Sequence, residues 1–452
     1  MRIKATFTLA VTFAILVALA CDQALAIAGG SVSQLTVSAD NAGAVATYDP
    51  AGSTESNTLF FQSLGTNGRT CDTCHRESDG WSIAPTHIRV RFAKSRGKDP
   101  LFRSLDGATC PNDDVSTIQA ARKAYLLLLE RGLIRIPFDF PANSEFSVLD
   151  WRDPYGCSEL TTSTSGVISV YRRPLPTTNL PFETSIMWDG REPDLQSQAL
   201  NAILLHEQPA DPPTTEQLNL IVTFESGTYT AQIIDRIAGS LHAQGASAGP
   251  IALSQEPFFI GINDPFGGNP TANPFDADVF ILYQGWHDLH AVSPARASIL
   301  RGEELFNRLP MTISGVAGLN DVLGQNAIVG TCSTCHDTPG VGNHSVNALF
   351  DTGVAESGTA GLPLFILHCD SGSLAGNVTQ VTDPGRALIS GKCADIGKFK
   401  VPALRALSAR PPYFHDGSAK TLMDVVNFYD SRFAIGFTPR QKRDLAAFLR
   451  AL

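Results

Sequence analysis

The sequence predicts a mainly α fold built from two domains, and three observations carry that expectation. The pentapeptide Cys71-Asp72-Thr73-Cys74-His75 returns as Cys332-Ser333-Thr334-Cys335-His336, one copy in each half of the chain. The best-marked periodic stretches are helical and begin with recognisable caps. The length, 452 residues, exceeds one small core and suggests two to three units of ~150 residues. With 9 Cys and 10 His, random placement gives about 0.004 copies of such a motif. The spacing has a chemical reason. Two thiols three residues apart can each form a thioether to one porphyrin edge, and the adjoining imidazole then falls under the iron. A dithiol redox pair or half of a zinc site leaves the following His unexplained twice. The expectation is two c-type cytochrome domains, each with one covalently bound haem c and its iron, plus loop-rich insertions.

Taken in order, residues 1–26 read as a signal peptide for export to the periplasm. Arg2 and Lys4 precede an apolar run from Ala5 to Ala20, and Ala24-Leu25-Ala26 offers the cleavage site. Lipoprotein processing at Cys21 is the alternative, but Ala18 stands where a larger aliphatic residue is preferred. No later stretch reaches the ~18 apolar residues that span a bilayer, so no stable membrane span is expected after signal removal. The N-terminal haem domain is assigned to 27–226, with 27–55 a loosely held arm. A short helix is expected from Asn57 to Leu64, ahead of the first motif. An insertion at about 76–180 carries its own helix, Ser116 to Leu133. Further helices follow near Leu195 to Leu204 and from about Thr215. Residues 227–292 read as a connector with a Gly, Pro and Asn-rich run.

The C-terminal haem domain, 293–452, opens with Ser293 as N-cap and Pro294 at the first helical position. Gly302, one turn before Leu305 and Phe306, suits a close helix crossing. Its expected partner is the last helix, with Thr438 as cap, Gln441 completing a capping box and Leu445, Phe448, Leu449 and Leu452 on one stripe. Another capped helix runs from Thr421 through Leu422, Val425 and Val426 to Tyr429, which its spacing turns inward.

Removing Cys21 with the signal and four thiols for haem leaves Cys110, Cys157, Cys369 and Cys393. An even remainder in an oxidising compartment suggests two disulfides. Of three pairings, Cys110–Cys157 and Cys369–Cys393 keep each bridge inside one half. The net charge of −10 and pI near 5.5 argue against nucleic acid or anionic lipid as partners.

Beyond the two motifs, Trp188-Asp189-Gly190-Arg191 with Gln198, and Phe399-Lys400-Val401-Pro402-Ala403-Leu404-Arg405 followed by Pro412-Tyr413-Phe414-His415-Asp416-Gly417, resemble the bacterial di-haem cytochrome c peroxidase and MauG superfamily. The resemblance is weak over 76–180 and 227–292. It implies that the haem held by Cys71, Cys74 and His75 meets hydrogen peroxide or dioxygen, while that held by Cys332, Cys335 and His336 transfers electrons. It further implies that Trp188 relays electrons between them, as against an ordinary core Trp. Tyr429 falls where typical peroxidases of the family have Met and MauG-like members have Tyr, so it is the expected iron ligand there. A tyrosinate is a hard anionic donor that favours ferric and higher states. The alternative is a core Tyr, with the iron open or bound by His344 or Met423.

On the distal side of the first haem the chain departs from the family. The catalytic Glu position falls on Gln208, which can only hydrogen-bond, while His206 and Glu207 just before it can move protons. Either Glu207 shifts into place, His206 substitutes, or His206 coordinates the iron. Arg191 and Arg405 are expected to pair with haem propionates. Calcium often sits at the family's domain seam, but no carboxylate-rich calcium loop is visible. The reading is a periplasmic peroxidase or MauG-like oxidase served by a small redox protein or organic electron donor. Its rivals are an electron carrier without turnover and a haem-dependent oxygenase of an organic substrate.

Overall fold

A computed structural model describes residues 34–52, 58–157, 159–356 and 361–452. The expected signal peptide, and with it the export reading, lies outside the described residues, as do residues 27–33 and 53–55 of the expected arm.

The capped helices stand where the sequence puts them. Pro294–Arg308 starts at Ser293, whose side chain accepts from the Arg296 N–H, and Pro439–Arg450 starts with a Thr438–Gln441 capping box. The two cross at Gly302, where a Cβ would lie 2.1 Å from the Asp444 carbonyl oxygen and 2.5 Å from the Phe448 Cβ. Only a glycine lets the backbones approach that closely. Leu422–Arg432 and Thr215–Gly227 also begin with capping boxes, at Thr421 and Thr214. The helix expected over 116–133 is two, Ile118–Ala124 and Leu126–Arg131, because Tyr125 between them leaves helical geometry (φ −92°, ψ 25°).

The expectation of a mainly α chain is overturned. Helix makes up 31% and strand 19%, the latter in several sheets, so the architecture mixes α and β. The strands are short and many pair with partners far away in sequence. Phe146–Arg152, from the 76–180 region, pairs antiparallel with Leu364–Cys369, which in turn pairs with Val378–Val381. Beside them Ser165–Arg172 joins Ile134–Asp139 and Glu159–Thr162. Phe146, Val148, Ile168, Val170, Phe365 and Leu367 fill the core of this lobe. Alternation over four to eight residues is a weaker signal than a long helical stripe, and pairing across some 200 positions leaves no local trace. Both expected disulfides, Cys110–Cys157 and Cys369–Cys393, are formed.

The loosely held arm is also corrected. Leu35–Ala39 and Gly43–Tyr48 form a hairpin whose second strand pairs with Tyr229–Asp235. Ala44 and Ala46 are fully buried there. Their small size lets the sheet lie close against its neighbours, and this composition is what reads as a loop in one dimension. Within 227–292, Tyr283 and Trp286 enter the same core as Ile299, Phe306 and Phe448. Glu303 accepts the Leu282 N–H at 2.7 Å and fixes this segment to the Pro294–Arg308 helix.

Candidate functional site

Each Cys-x-x-Cys-His motif forms a short 3-10 turn, Cys71–Thr73 and Cys332–Thr334, fixed by capping boxes at Thr70 and Thr331. The turn brings both thiols and the imidazole to one side of the backbone. His75 Nδ1 lies 3.1 Å from the Trp81 carbonyl oxygen, and His336 Nδ1 bonds the Gly342 carbonyl. A ring that donates from Nδ1 presents Nε2 as its free lone pair, the tautomer a metal needs. Burial pushes both imidazoles down to about 4, which keeps them neutral. The four motif thiols are unbridged, and burial raises Cys74 to about 11 and Cys332 and Cys335 to about 12. Among the described residues no group of three or more His, Cys, Asp or Glu is placed to hold a metal ion.

A cavity of about 260 Å³ opens beside the first motif and one of about 200 Å³ beside the second. Trp188, Arg173, Pro174, Leu175 and Lys400 line both. Trp188 is gripped from both halves of the chain. Its Nε1–H donates to the Arg173 carbonyl at 2.7 Å, and its carbonyl accepts the Lys400 N–H at 2.9 Å. Its indole meets the His415 ring edge-on at 6.2 Å, and His415 stacks on Phe399 at 4.1 Å. Beneath this contact Arg172 bridges Asp189 (2.5 Å) and Asp383 (2.6 Å), all three buried. Sequence reading singled out neither Arg172 nor Asp383.

Across the first cavity the chain leaves the Leu195–Ala202 helix in a π-helical turn, Ile203–Glu207, an irregularity often found at functional sites. It sends His206 and Glu207 to the cavity lining. Gln208 follows in left-handed geometry (φ 54°), is exposed and stays off the lining. His206 Nδ1 meets Asp106 Oδ2 at 2.6 Å, and Arg69 clasps the same carboxylate at 2.6 and 2.7 Å. Burial alone would raise Asp106, but the bonds from His206 and Arg69 outweigh it and hold the carboxyl well below the usual range. Glu207 is buried and accepts the Leu64 N–H at 2.9 Å; burial raises its carboxyl, partly offset by the Leu64 and Gly65 amides. Glu225, which sequence reading missed, also lines this cavity with Oε2 unpartnered among the described residues, and burial pushes it up to about 8.

The second cavity has a different wall. Tyr429 reaches it from the Leu422–Arg432 helix, its ring parallel to Phe433 at 6.1 Å and edge-on to Phe414 and Phe428. Burial, with Cys335 and Cys332 nearby, raises its phenol well above the usual range. Neither Met423 nor His344 lines this cavity. His344 is buried against Phe350, with Nδ1 3.1 Å from Asp337.

No protein-family model matches the chain. It is 31% identical over 135 residues to cytochrome-c peroxidase IdrP2 of Denitromonas iodatirespirans, covering 27% of this chain and 36% of that protein. To the methylamine utilization protein MauG of Methylorubrum extorquens it is 24% identical over 302 residues, 64% of this chain and 66% of MauG. The chain is therefore similar to cytochrome-c peroxidases and to MauG. Its match to IdrP2 thus spans about a third of that relative's length. A solved MauG-like protein associated with microbial copper homeostasis aligns over 87% of both chains at 13% identity, with a TM-score of 0.40.

The cytochrome c peroxidase and MauG relatives imply covalently bound c-type haem, and the residues present fit that group. Each cavity has its thiol pair and a neutral imidazole. Each also has buried cations without a carboxylate. Arg173 lines both cavities, and among the described residues its guanidinium bonds to the Arg131 and Ile83 carbonyls and, more weakly, to that of Arg410. Arg410 lines the second, its Nε unpartnered among the described residues. Burial lowers Arg173 to about 9 and Arg410 to about 10. Haem propionates are anions, and a guanidinium fork suits them. Of the two arginines expected in that role, Arg191 lines the first cavity with Nη1 3.0 Å from Asp189. Arg405 is buried away from both linings, and Nη1 donates to the Gly340 carbonyl at 3.1 Å.

Proposed function

We propose that this protein is a di-haem oxidoreductase, a peroxidase or MauG-like oxidase, in which hydrogen peroxide or dioxygen reacts at the first cavity and electrons pass to and from the second. The observation that carries this reading is Trp188, a side chain in the wall common to both cavities and tied to each half of the chain. Haem bound at Cys71, Cys74 and His75 would supply an iron that takes and gives electrons, and a second haem at Cys332, Cys335 and His336 would store them. The chain's own residues divide the remaining work. His75 and His336 present neutral nitrogens, and Arg173, Arg191 and Arg410 neutralise propionates. Tyr429 would offer its phenol oxygen to the second iron, giving up its proton on binding. His206 puts a proton-transfer group into the first cavity, and Glu207 beside it holds the 64–66 loop. Trp188, with its N–H bonded and its ring held edge-on to His415, offers an oxidisable π-system between the two sites. A small redox protein or an organic molecule serves as electron donor, and the compartment is the periplasm.

The test is stopped-flow mixing of the holoprotein with hydrogen peroxide, in its ferric and half-reduced forms, beside Trp188→Phe. A rapid spectral change in the ferric wild type places the protein on the MauG-like side. A change only after half-reduction places it with the peroxidases. Trp188→Phe keeps both resting haem spectra and slows the exchange of oxidising equivalents between them. If neither form of the wild type responds to peroxide, the enzyme reading fails and an electron carrier remains.

A further inference from the structure

The consecutive residues 206–208 at the first cavity are candidates for moving protons, and the structure treats them differently. Gln208 is exposed, off the lining, and has no proton to exchange. Glu207 lines the cavity, but its carboxylate is committed. Oε2 accepts the Leu64 N–H at 2.9 Å, and Oε1 lies 3.9 Å from Cys71 Sγ, on the thioether side. Its backbone is wedged as well, for a Cβ on Gly65 would lie 1.9 Å from the Glu207 carbonyl oxygen. Glu207 therefore works as a cap for the 64–66 loop.

His206 is held in the opposite way. Its Nδ1 is anchored on Asp106 at 2.6 Å, Asp106 is clasped in two places by buried Arg69, and Asn67 holds the His206 carbonyl at 2.8 Å. No described residue hydrogen-bonds Nε2. The side chain is 39% exposed, in reach of a small molecule entering from solvent. A carboxylate behind Nδ1 fixes the tautomer with its lone pair on Nε2 and stabilises the cation formed when Nε2 takes a proton. Arg69 completes the chain of contacts and keeps Asp106 ionised.

We propose that His206 is the proton-transferring residue of the first cavity and that Asp106, backed by Arg69, is its positioning residue. This rests on the reading of that cavity as the peroxide site. In the overall reaction hydrogen peroxide takes two electrons from the donor and two protons from solvent and leaves as two waters. His206 Nε2 moves one of peroxide's own protons from the near oxygen to the far one, so the far oxygen departs as water rather than hydroxide when the O–O bond breaks. General acid–base transfer of this kind contributes on the order of 10²–10⁴-fold. The Asp106 carboxylate comes from the 76–180 region, 100 positions from His206, which gives that region a part in the chemistry.

The experiment compares wild type, His206→Gln, His206→Gly, Asp106→Asn and Glu207→Gln as full-length holoproteins, with cyanide and hydrogen peroxide as probes. Hydrogen cyanide must lose its proton to bind, so its association rate reads the same base without turnover. The resting ferric spectrum is expected to be the same in wild type and His206→Gln, while cyanide association and the peroxide reaction both fall by about 10²–10⁴-fold. Imidazole restores part of the rate in His206→Gly, which a merely structural role would not allow. Asp106→Asn falls between wild type and His206→Gln, and Glu207→Gln stays near wild type. A low-spin bis-histidine spectrum that disappears in His206→Gln would make His206 an iron ligand and overturn the proposal, as would a Glu207→Gln loss equal to that of His206→Gln. If cyanide responds as expected but no variant or wild type reacts with peroxide, the peroxide reading fails while the base assignment stands.

Discussion

The two motif sites begin alike and end differently. Both use a capped 3-10 turn, a pair of half-buried thiols and an imidazole tied at Nδ1 to a carbonyl six residues ahead, Trp81 or Gly342. Lining the first cavity are His206 and Asp106, joined at 2.6 Å, and the buried carboxyls of Glu207 and Glu225. Opposite the second stands Tyr429 among Phe414, Phe428 and Phe433. On the proposed reading the attachment motif would bind the haem and the rest of the lining would decide what the iron meets. A histidine tied to a carboxylate suits a site where oxygen bonds break, and a largely aromatic wall with a phenol beside the motif suits a site that holds charge.

The largest expected effect comes from erasing one side of this comparison. Cys71→Ala/Cys74→Ala is expected to lose half the haem per chain by pyridine haemochrome assay and all rapid reaction with peroxide. The matching Cys332→Ala/Cys335→Ala protein keeps a peroxide-responsive spectrum, and equal loss in both would erase the distinction. Next in size, Tyr429→Phe is expected to change the optical and paramagnetic spectrum of the second haem and leave the first nearly untouched. An unchanged second spectrum removes tyrosinate as its ligand.

The smallest effect lies away from both cavities. Burial raises Glu303 to about 8, against the pull of the Tyr283 and Leu282 amides. A carboxyl whose folded pKa is raised favours the folded state most below its unfolded value, near 4.5, and that contribution is lost as pH climbs through about 8. Glu303→Gln keeps an acceptor for the amides and cannot ionise. Its melting temperature relative to wild type is therefore expected to be higher at pH 9 than at pH 6, and a constant difference would show that Glu303 does not titrate in that window.

How much was legible in the sequence follows the same division. Local features read well: the two motifs, the capped helices at Ser293, Thr421 and Thr438, Gly302 at its helix crossing, and the disulfide pairing. These signals sit within a few residues or follow from counting. What failed was long-range. The 34–48 hairpin finds its partner at 229–235 and the 146–152 strand at 364–369, so neither shows a local pattern strong enough to outweigh small or loop-like composition. The site divides likewise. His206 and Tyr429 were named from position, but Asp106, Glu225, Arg173 and Arg410 reach the cavities from distant segments, where an acidic or basic residue looks like any solvated surface group. Export and periplasmic location rest on residues outside the described structure.

The central claim is the division of labour between the two cavities. The most direct measurement is freeze-quench electron paramagnetic resonance of the holoprotein after mixing with one equivalent of hydrogen peroxide, with the two ferric signals assigned beforehand from the single-motif variants. The account predicts that the signal belonging to the Cys71–Cys74–His75 haem changes first and that the tyrosine-ligated one follows, more slowly in Trp188→Phe. A first change in the haem held by Cys332, Cys335 and His336, with the other site silent, would contradict it.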